Sequence, residues 1–156
     1  MRLQVALGFV CAMTLIAPVA GAQAAKVEFT PMCRVFNSEK LWDPKAWAVM
    51  IKQFKDPASP HSACLRAQLA GQFRFADQTS NLQNGYSPMV NAVRGQAKAA
   101  EAQQSPEDRC MALSEVVAAY EAGQAGSAYK TPKDLFEWVP PKREQACDAS
   151  KKEAVP

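Results

Sequence analysis

The chain has 156 residues, with 18 Lys and Arg against 15 Asp and Glu and a single His. So small a charge bias, with no concentrated basic face, argues against nucleic acid or an anionic surface as partner. Ala, Gln, Lys and Glu abound while Ile51 is the only isoleucine beyond residue 24, a composition that disfavours a sheet and predicts an all-α chain.

Residues 1–24 carry Arg2, an apolar run from Val5 to Ala20 and the small-residue exit Ala22-Gln23-Ala24. These are the three parts of a secretory signal peptide. The run is short for a membrane span, which needs about 20 apolar residues, and no second run follows. A periplasmic or secreted protein without a membrane span is expected, cut after Ala24. Cys11 leaves with the signal, since Gly8-Phe9-Val10 lacks the small residue expected before a lipid-modified cysteine.

Four cysteines then remain: Cys33, Cys64, Cys110 and Cys147. In an oxidising compartment they read as two disulfides rather than as metal ligands. No Cys-x-x-Cys occurs, so the thioredoxin-type, zinc-knuckle and haem-attachment motifs are all missing. Sequence leaves three pairings open. Cys64 with Cys110 is reachable if the helices alternate up and down. Cys33 with Cys64 and Cys110 with Cys147 is equally reachable and is preferred, because each bond would tie down an end that has little else to hold it.

Residues 25–42 read as an irregular segment, 43–151 as the helical domain and 152–156 as a tail. Helix starts are marked where Ser, Thr or Asp precedes Pro: Asp43-Pro44, Ser59-Pro60, Ser87-Pro88, Ser105-Pro106 and Thr131-Pro132. The first residue of such a pair can cap free N–H groups, and proline suits the first helical position. With Asp56-Pro57, Asn84-Gly85 and Gly123 as stops, helices are predicted over 44–55, 60–83, 88–103, 106–122 and 132–138, with a further segment over 141–151.

Trp47, Met50, Ile51 and Phe54 share one side of the first helix, and Cys110, Leu113, Val117 and Tyr120 one side of the fourth. On the second, Leu65, Leu69, Phe73 and Ala76 form a stripe that Cys64, Phe75 and Leu82 widen to about 180° of the surface, with Arg74 opposite. An arc that wide predicts a central helix. The third has a narrow stripe of Met89, Val93, Ala97 and Ala100. The expected architecture is a compact helical bundle of about five helices, built around the second. Ser59 to Leu65 echoes Ser105 to Met111, but little else aligns and the echo is read as coincidence.

The chemistry on offer is sparse. His61 falls in the first turn of the second helix, where an exposed role is the plainer reading and no ligand set surrounds it, so no metal is expected. A haem carrier would pair His61 with Met32, Met50, Met89 or Met111, although methionines at helical spacing are usually core filler. A cell-wall glycan hydrolase would need paired carboxylates among Glu101, Glu107, Asp108, Glu115 and Glu121, of which only Glu115 lies away from helix ends and polar runs. No glycine-rich phosphate loop, Gly-x-Ser-x-Gly or His-Glu-x-x-His is present.

Two aromatic stretches remain, Phe73 to Tyr86 and Tyr129 to Pro141, giving Arg74, Phe75, Tyr86, Tyr129 and Trp138 as candidate contact residues. For the Phe residues and Trp138 a core position is the plainer reading, with Arg74 and Tyr86 the exposed contacts. The expectation is a non-enzymatic periplasmic binding protein with no cofactor. It would occlude another envelope or secreted protein, as an inhibitor or immunity factor, or serve as a small chaperone. A glycan hydrolase or exported effector and a small-ligand carrier are the alternatives.

Overall fold

The computed structural model describes residue 33, residues 42–82 and residues 86–154. The signal peptide, most of the 25–42 segment, Met32 and the Asn84-Gly85 stop lie outside them. Five α-helices and no strand are found among the described residues: α1 (Pro44–Lys55), α2 (Ser62–Leu82), α3 (Ser87–Glu101), α4 (Pro106–Ala125) and α5 (Val139–Glu153). A 3-10 turn, Lys133–Leu135, precedes α5.

Two of the five pairs read as helix starts act as helix caps through their own side chains. Asp43 accepts from Lys45 N at 3.0 Å, and Ser105 Oγ accepts from Asp108 N at 3.0 Å, each ahead of a proline in the first turn. The other three are used differently. Ser59 accepts from His61 N at 3.2 Å and donates to Gln53 Oε1 at 2.7 Å, so the chain turns through Asp56 to His61 and α2 starts only at Ser62. Ser87 lies inside α3. The orphan N–H at Met89 is satisfied instead by Ser80 Oγ of α2 at 3.1 Å, while that hydroxyl donates to the Ala76 carbonyl at 2.8 Å. Thr131 gives its hydroxyl to Asp77, and the predicted 132–138 helix shrinks to the 3-10 turn. The next helix starts at Val139, placing Pro140 and Pro141 in the first turn where their missing N–H groups cost nothing.

The core is formed by the predicted stripes. Trp47, Met50, Ile51 and Phe54 are buried on α1, Leu65, Leu69, Phe73 and Ala76 on α2, and Met89, Val93, Ala97 and Ala100 on α3. The centre is nevertheless α4 and not α2. Helix α4 packs against α1, α2, α3 and α5, burying Ala112, Leu113, Val116, Val117, Ala119, Tyr120 and Gly123 on several sides. Small residues let the neighbours close in around it, and such a helix has no single large-residue stripe to reveal it. Phe75 and Leu82, expected to widen the α2 arc, are 68% and 71% exposed. Helices α3 and α4 are α2's main neighbours, and the opposite side of α2 stays open.

Gly123, read as a stop, lies inside α4, which continues to Ala125 and ends at Gly126. Its role is packing. A Cβ there would sit 2.8 Å from the Ala70 carbonyl oxygen and 3.0 Å from Phe73 Cβ, so the α2 and α4 backbones touch at this residue. Gly71, inside α2, has nothing within 4 Å of the same position. Opposite effects are therefore expected from one substitution. Gly71→Ala should stabilise by up to about 1 kcal/mol through helix propensity. Gly123→Ala should destabilise by about 1–2 kcal/mol, because the clash with backbone outweighs that gain. Urea denaturation of the two variants checks the sign, and a stabilised Gly123→Ala would refute the backbone contact.

The disulfides are Cys33–Cys64 and Cys110–Cys147, with Cα separations of 6.1 and 4.6 Å. This is the preferred pairing. The first lies in the core with both cysteines fully buried, whereas Cys110 and Cys147 are half-buried. Polar ties add to the packing. Arg66 of α2 donates to both carboxylate oxygens of Glu115 on α4 (2.9 and 3.0 Å), and its guanidinium carbon lies 4.9 Å from the centre of the Phe54 ring of α1. Lys55 pairs with Asp108 at 2.7 Å, and this contact holds the Asp108 carboxyl below the usual carboxylate range against the upward push of burial.

Candidate surface for protein binding

Helix α2 carries two faces. One is the core stripe. On the other, Phe75 and Leu82 stand seven residues apart, which is two helical turns and so almost the same direction, separated by about 10 Å along the axis. Thr79 lies between them and turns its hydroxyl back to the Phe75 carbonyl at 2.9 Å, which removes a polar group from the strip. Tyr86, 45% exposed, stands at the entrance to α3. Arg74, beside Phe75, is exposed and forms no ion pair among the described residues.

A buried polar network lies on the other side of α2. Asp77 is fully buried on α2, and both its carboxylate oxygens accept hydroxyl protons from the segment that follows α4: Oδ2 from Ser127 at 2.7 Å and Oδ1 from Thr131. Gln124 closes a ring with Thr131, accepting from its N at 3.1 Å and donating to its Oγ1 at 3.1 Å. Ser127 Oγ also accepts from Tyr129 N at 3.2 Å. The result pins residues 126–131 to α2 one turn from Arg74. A Cβ on Gly126 would lie 3.0 Å from Arg74 Nη1. Tyr129, 38% exposed, is thereby carried to the Arg74 side of α2. Tyr129 is thus tied to the Asp77 and Arg74 side of α2, whereas Phe75 and Leu82 lie about 140–160° round the helix from Asp77.

Trp138 belongs elsewhere. It is half-buried against the core, donates from Nε1 to the Leu135 carbonyl at 3.1 Å and has Lys142 Nζ 5.3 Å from its ring centre. Lys142 in turn pairs with Glu101. Trp138 therefore anchors the start of α5. Leu82, the most exposed large apolar side chain among the described residues, is a further candidate that the sequence reading assigned to the apolar arc of α2. Its seven-residue spacing from Phe75, on the far side from Phe73, is the signal that could have found it.

The catalytic and ligand candidates are differently placed. Both oxygens of Glu115 are taken by Arg66, so its carboxylate does not face an open site. Of the methionines named as haem ligands, Met50 and Met89 are fully buried core side chains. Among the described residues no group of three His, Cys, Asp or Glu could hold a metal ion, and no helix is long and apolar enough to cross a membrane.

One ionisable group in the core has a clear pH consequence. Tyr120 stacks on Phe136 at 3.8 Å and meets the edge of Phe73 at 5.7 Å. Burial pushes its phenol above the usual 10.0, helped by the negative charges of Asp77 and Asp134. A group with a raised folded pKa contributes stability that is complete below its unfolded value and disappears as pH rises through its folded value. Stability should therefore fall above about pH 10. Tyr120→Phe, which keeps the ring, should flatten that alkaline limb in urea melts between pH 8.5 and 11, and an unchanged limb would assign the loss to other groups.

No family model, curated protein or solved structure matches this chain.

Proposed function

We propose that this is a non-enzymatic binding protein of the periplasm or the extracellular space, which acts by covering a surface of another envelope or secreted protein. An inhibitor or immunity factor is the form favoured, with a small chaperone as the variant. The observation that carries the reading is the outer face of α2: Phe75 and Leu82 are largely exposed in register, and the neighbouring Arg74 forms no ion pair among the described residues, while the core closes without them. Exposed apolar side chains grouped at one place mark interaction sites, and aromatic residues and Arg dominate the binding energy where partners dock. Two disulfides suit an oxidising compartment. The hydrolase alternative loses support because its candidate acid, Glu115, is occupied by Arg66, and a general acid must reach the bond that it protonates.

The test is a photo-crosslinking amino acid placed at position 75 or 82 in the exported protein, with Lys52 on the exposed side of α1 as a control position. One defined partner should be captured at 75 and 82 and not at 52. With that partner purified, Phe75→Ser combined with Leu82→Ser should weaken binding at least tenfold, about 1.4 kcal/mol, with the folding midpoint little changed because neither side chain is in the core. Equal capture at all three positions, or unweakened binding, would end the proposal.

A further inference from the structure

We infer that the Cys110–Cys147 bond is a thiol-exchange site, open to a dithiol reductant, and that α5 is the element its reduction releases. This does not rest on the binding reading.

The two disulfides differ in access. Cys33 and Cys64 are both fully buried in the core, where a thiolate cannot align with the S–S axis without local unfolding. Cys110 and Cys147 are half-buried, and Cys147 lines an open cleft of about 400 Å³ together with Ser114, Arg143, Glu144, Asp148 and Lys151. The cleft walls are neutral in sum, two cations against two carboxylates, with Lys151 paired to Asp148 at 3.0 Å. No net negative charge therefore repels an incoming thiolate. Cys147 is the residue of the pair that lines the cleft, so attack is assigned to it, with Cys110 leaving as the thiolate.

The step balances as ordinary exchange. One thiolate of the dithiol bonds to Cys147 Sγ as the Cys110–Cys147 bond breaks. Its second thiol, deprotonated, then attacks its own sulfur in the mixed disulfide and expels the Cys147 thiolate. The dithiol is oxidised to a disulfide, and Cys110 and Cys147 end as two thiols carrying its two protons.

Helix α5 packs along α4, the most extensive helix pair in the fold, but few of its side chains are buried there. Of its 15 residues only Val139 and Ala146 are buried, and most of the rest are charged or polar. Beyond Ala146 no side chain of α5 is fully buried, and the disulfide is its covalent tie to α4: the ion pair Lys142–Glu101 reaches α3 near the start of α5, and Lys151–Asp148 is internal. Reduction therefore frees the part of α5 after Ala146 first. Leu113, which lines a second cleft with Ala146 and Ala149, becomes open to solvent as that part lifts.

The experiment titrates the oxidised protein with dithiothreitol, traps thiols with N-ethylmaleimide and maps the modified cysteines by mass spectrometry. Amide hydrogen exchange is followed on the same samples. Cys110 and Cys147 should be labelled at reductant concentrations at least about tenfold below those that label Cys33 and Cys64. At that stage amides of α5 should lose protection while those of α2 and α4 keep it, and oxidised glutathione should restore it. Simultaneous opening of the two bonds, prior opening of Cys33–Cys64, or an α5 that stays protected after Cys110 and Cys147 are labelled would each overturn the inference.

Discussion

Asp77→Ala is expected to lower the stability of this protein by about 3 kcal/mol, a large effect for a residue that belongs to no apolar stripe. Its carboxylate is fully buried and accepts from Ser127 and Thr131, two hydroxyls that are themselves buried. Hydrogen bonds to a charged acceptor contribute about 1.5–3 kcal/mol, and removing the acceptor leaves both donors without a partner and without water. The loss should be larger than for Ser127→Ala or Thr131→Val, which each remove a single donor, and a double-mutant cycle should show coupling of at least about 1 kcal/mol. Hydrogen exchange would show the origin, since the amides of Thr131 and Tyr129 are held through Gln124 and Ser127. Additive effects of Asp77→Ala and Thr131→Val would mean that the hydrogen bond between them carries little energy. The Tyr120 phenol supplies a second readout. Asp77 is one of the two charges that raise it, so Asp77→Asn should let Tyr120 ionise at lower pH than in the parent protein.

Joint replacement of Cys110 and Cys147 by Ser should cost about 3–4 kcal/mol, the loop-closure entropy of a cross-link spanning 37 residues. Ser at each position preserves size and leaves polar groups that are only half-buried, so the loss reports the cross-link and not a cavity. Because α5 buries only Val139 and Ala146, the change should appear in two places: a lower midpoint in urea, and exchange of α5 amides well before global unfolding. A double variant that lost less than about 1 kcal/mol with α5 still protected would show that packing against α4, and not the disulfide, holds the C-terminal helix. Its spectroscopic signature should match that of the wild-type protein after selective reduction.

Much of this architecture was legible in local chemistry. The prolines following Asp43 and Ser105 placed two helix starts, since a side-chain cap and a missing N–H act over three or four residues whatever surrounds them. The i, i+3, i+4 stripes on α1, α2 and α3 are buried as their spacing predicts. The surface was legible in part. Arg74 and Tyr86 are exposed as expected, whereas Phe75 and Leu82 face outward despite their apolar character, because periodicity gives angles around a helix and not which sides have neighbours.

The disagreements share one cause. Ser87 does not cap its own helix because Ser80, on another helix, satisfies Met89 N. Thr131 does not start a helix because Asp77 takes its hydroxyl. Gly123 does not end one because α2 needs backbone contact there. A residue with two uses, one local and one tertiary, adopts the use with the larger energy, and only the second requires knowing what is nearby. Gln96 makes the same point in reverse. It lies fully buried on α3 with neither amide atom partnered among the described residues, an environment that its polar side chain gave no reason to expect.

Composition and cap spacing by themselves thus determined that the chain is helical and where most helices begin, because propensity and capping are short-range. The tertiary structure decided that α4 and not α2 is the hub, that Asp77 ties the segment after α4 to α2, and that Phe75 and Leu82 remain uncovered. Those outcomes depend on which faces meet, and that is settled by packing among residues 30 to 60 positions apart, where no local rule in the chain reaches.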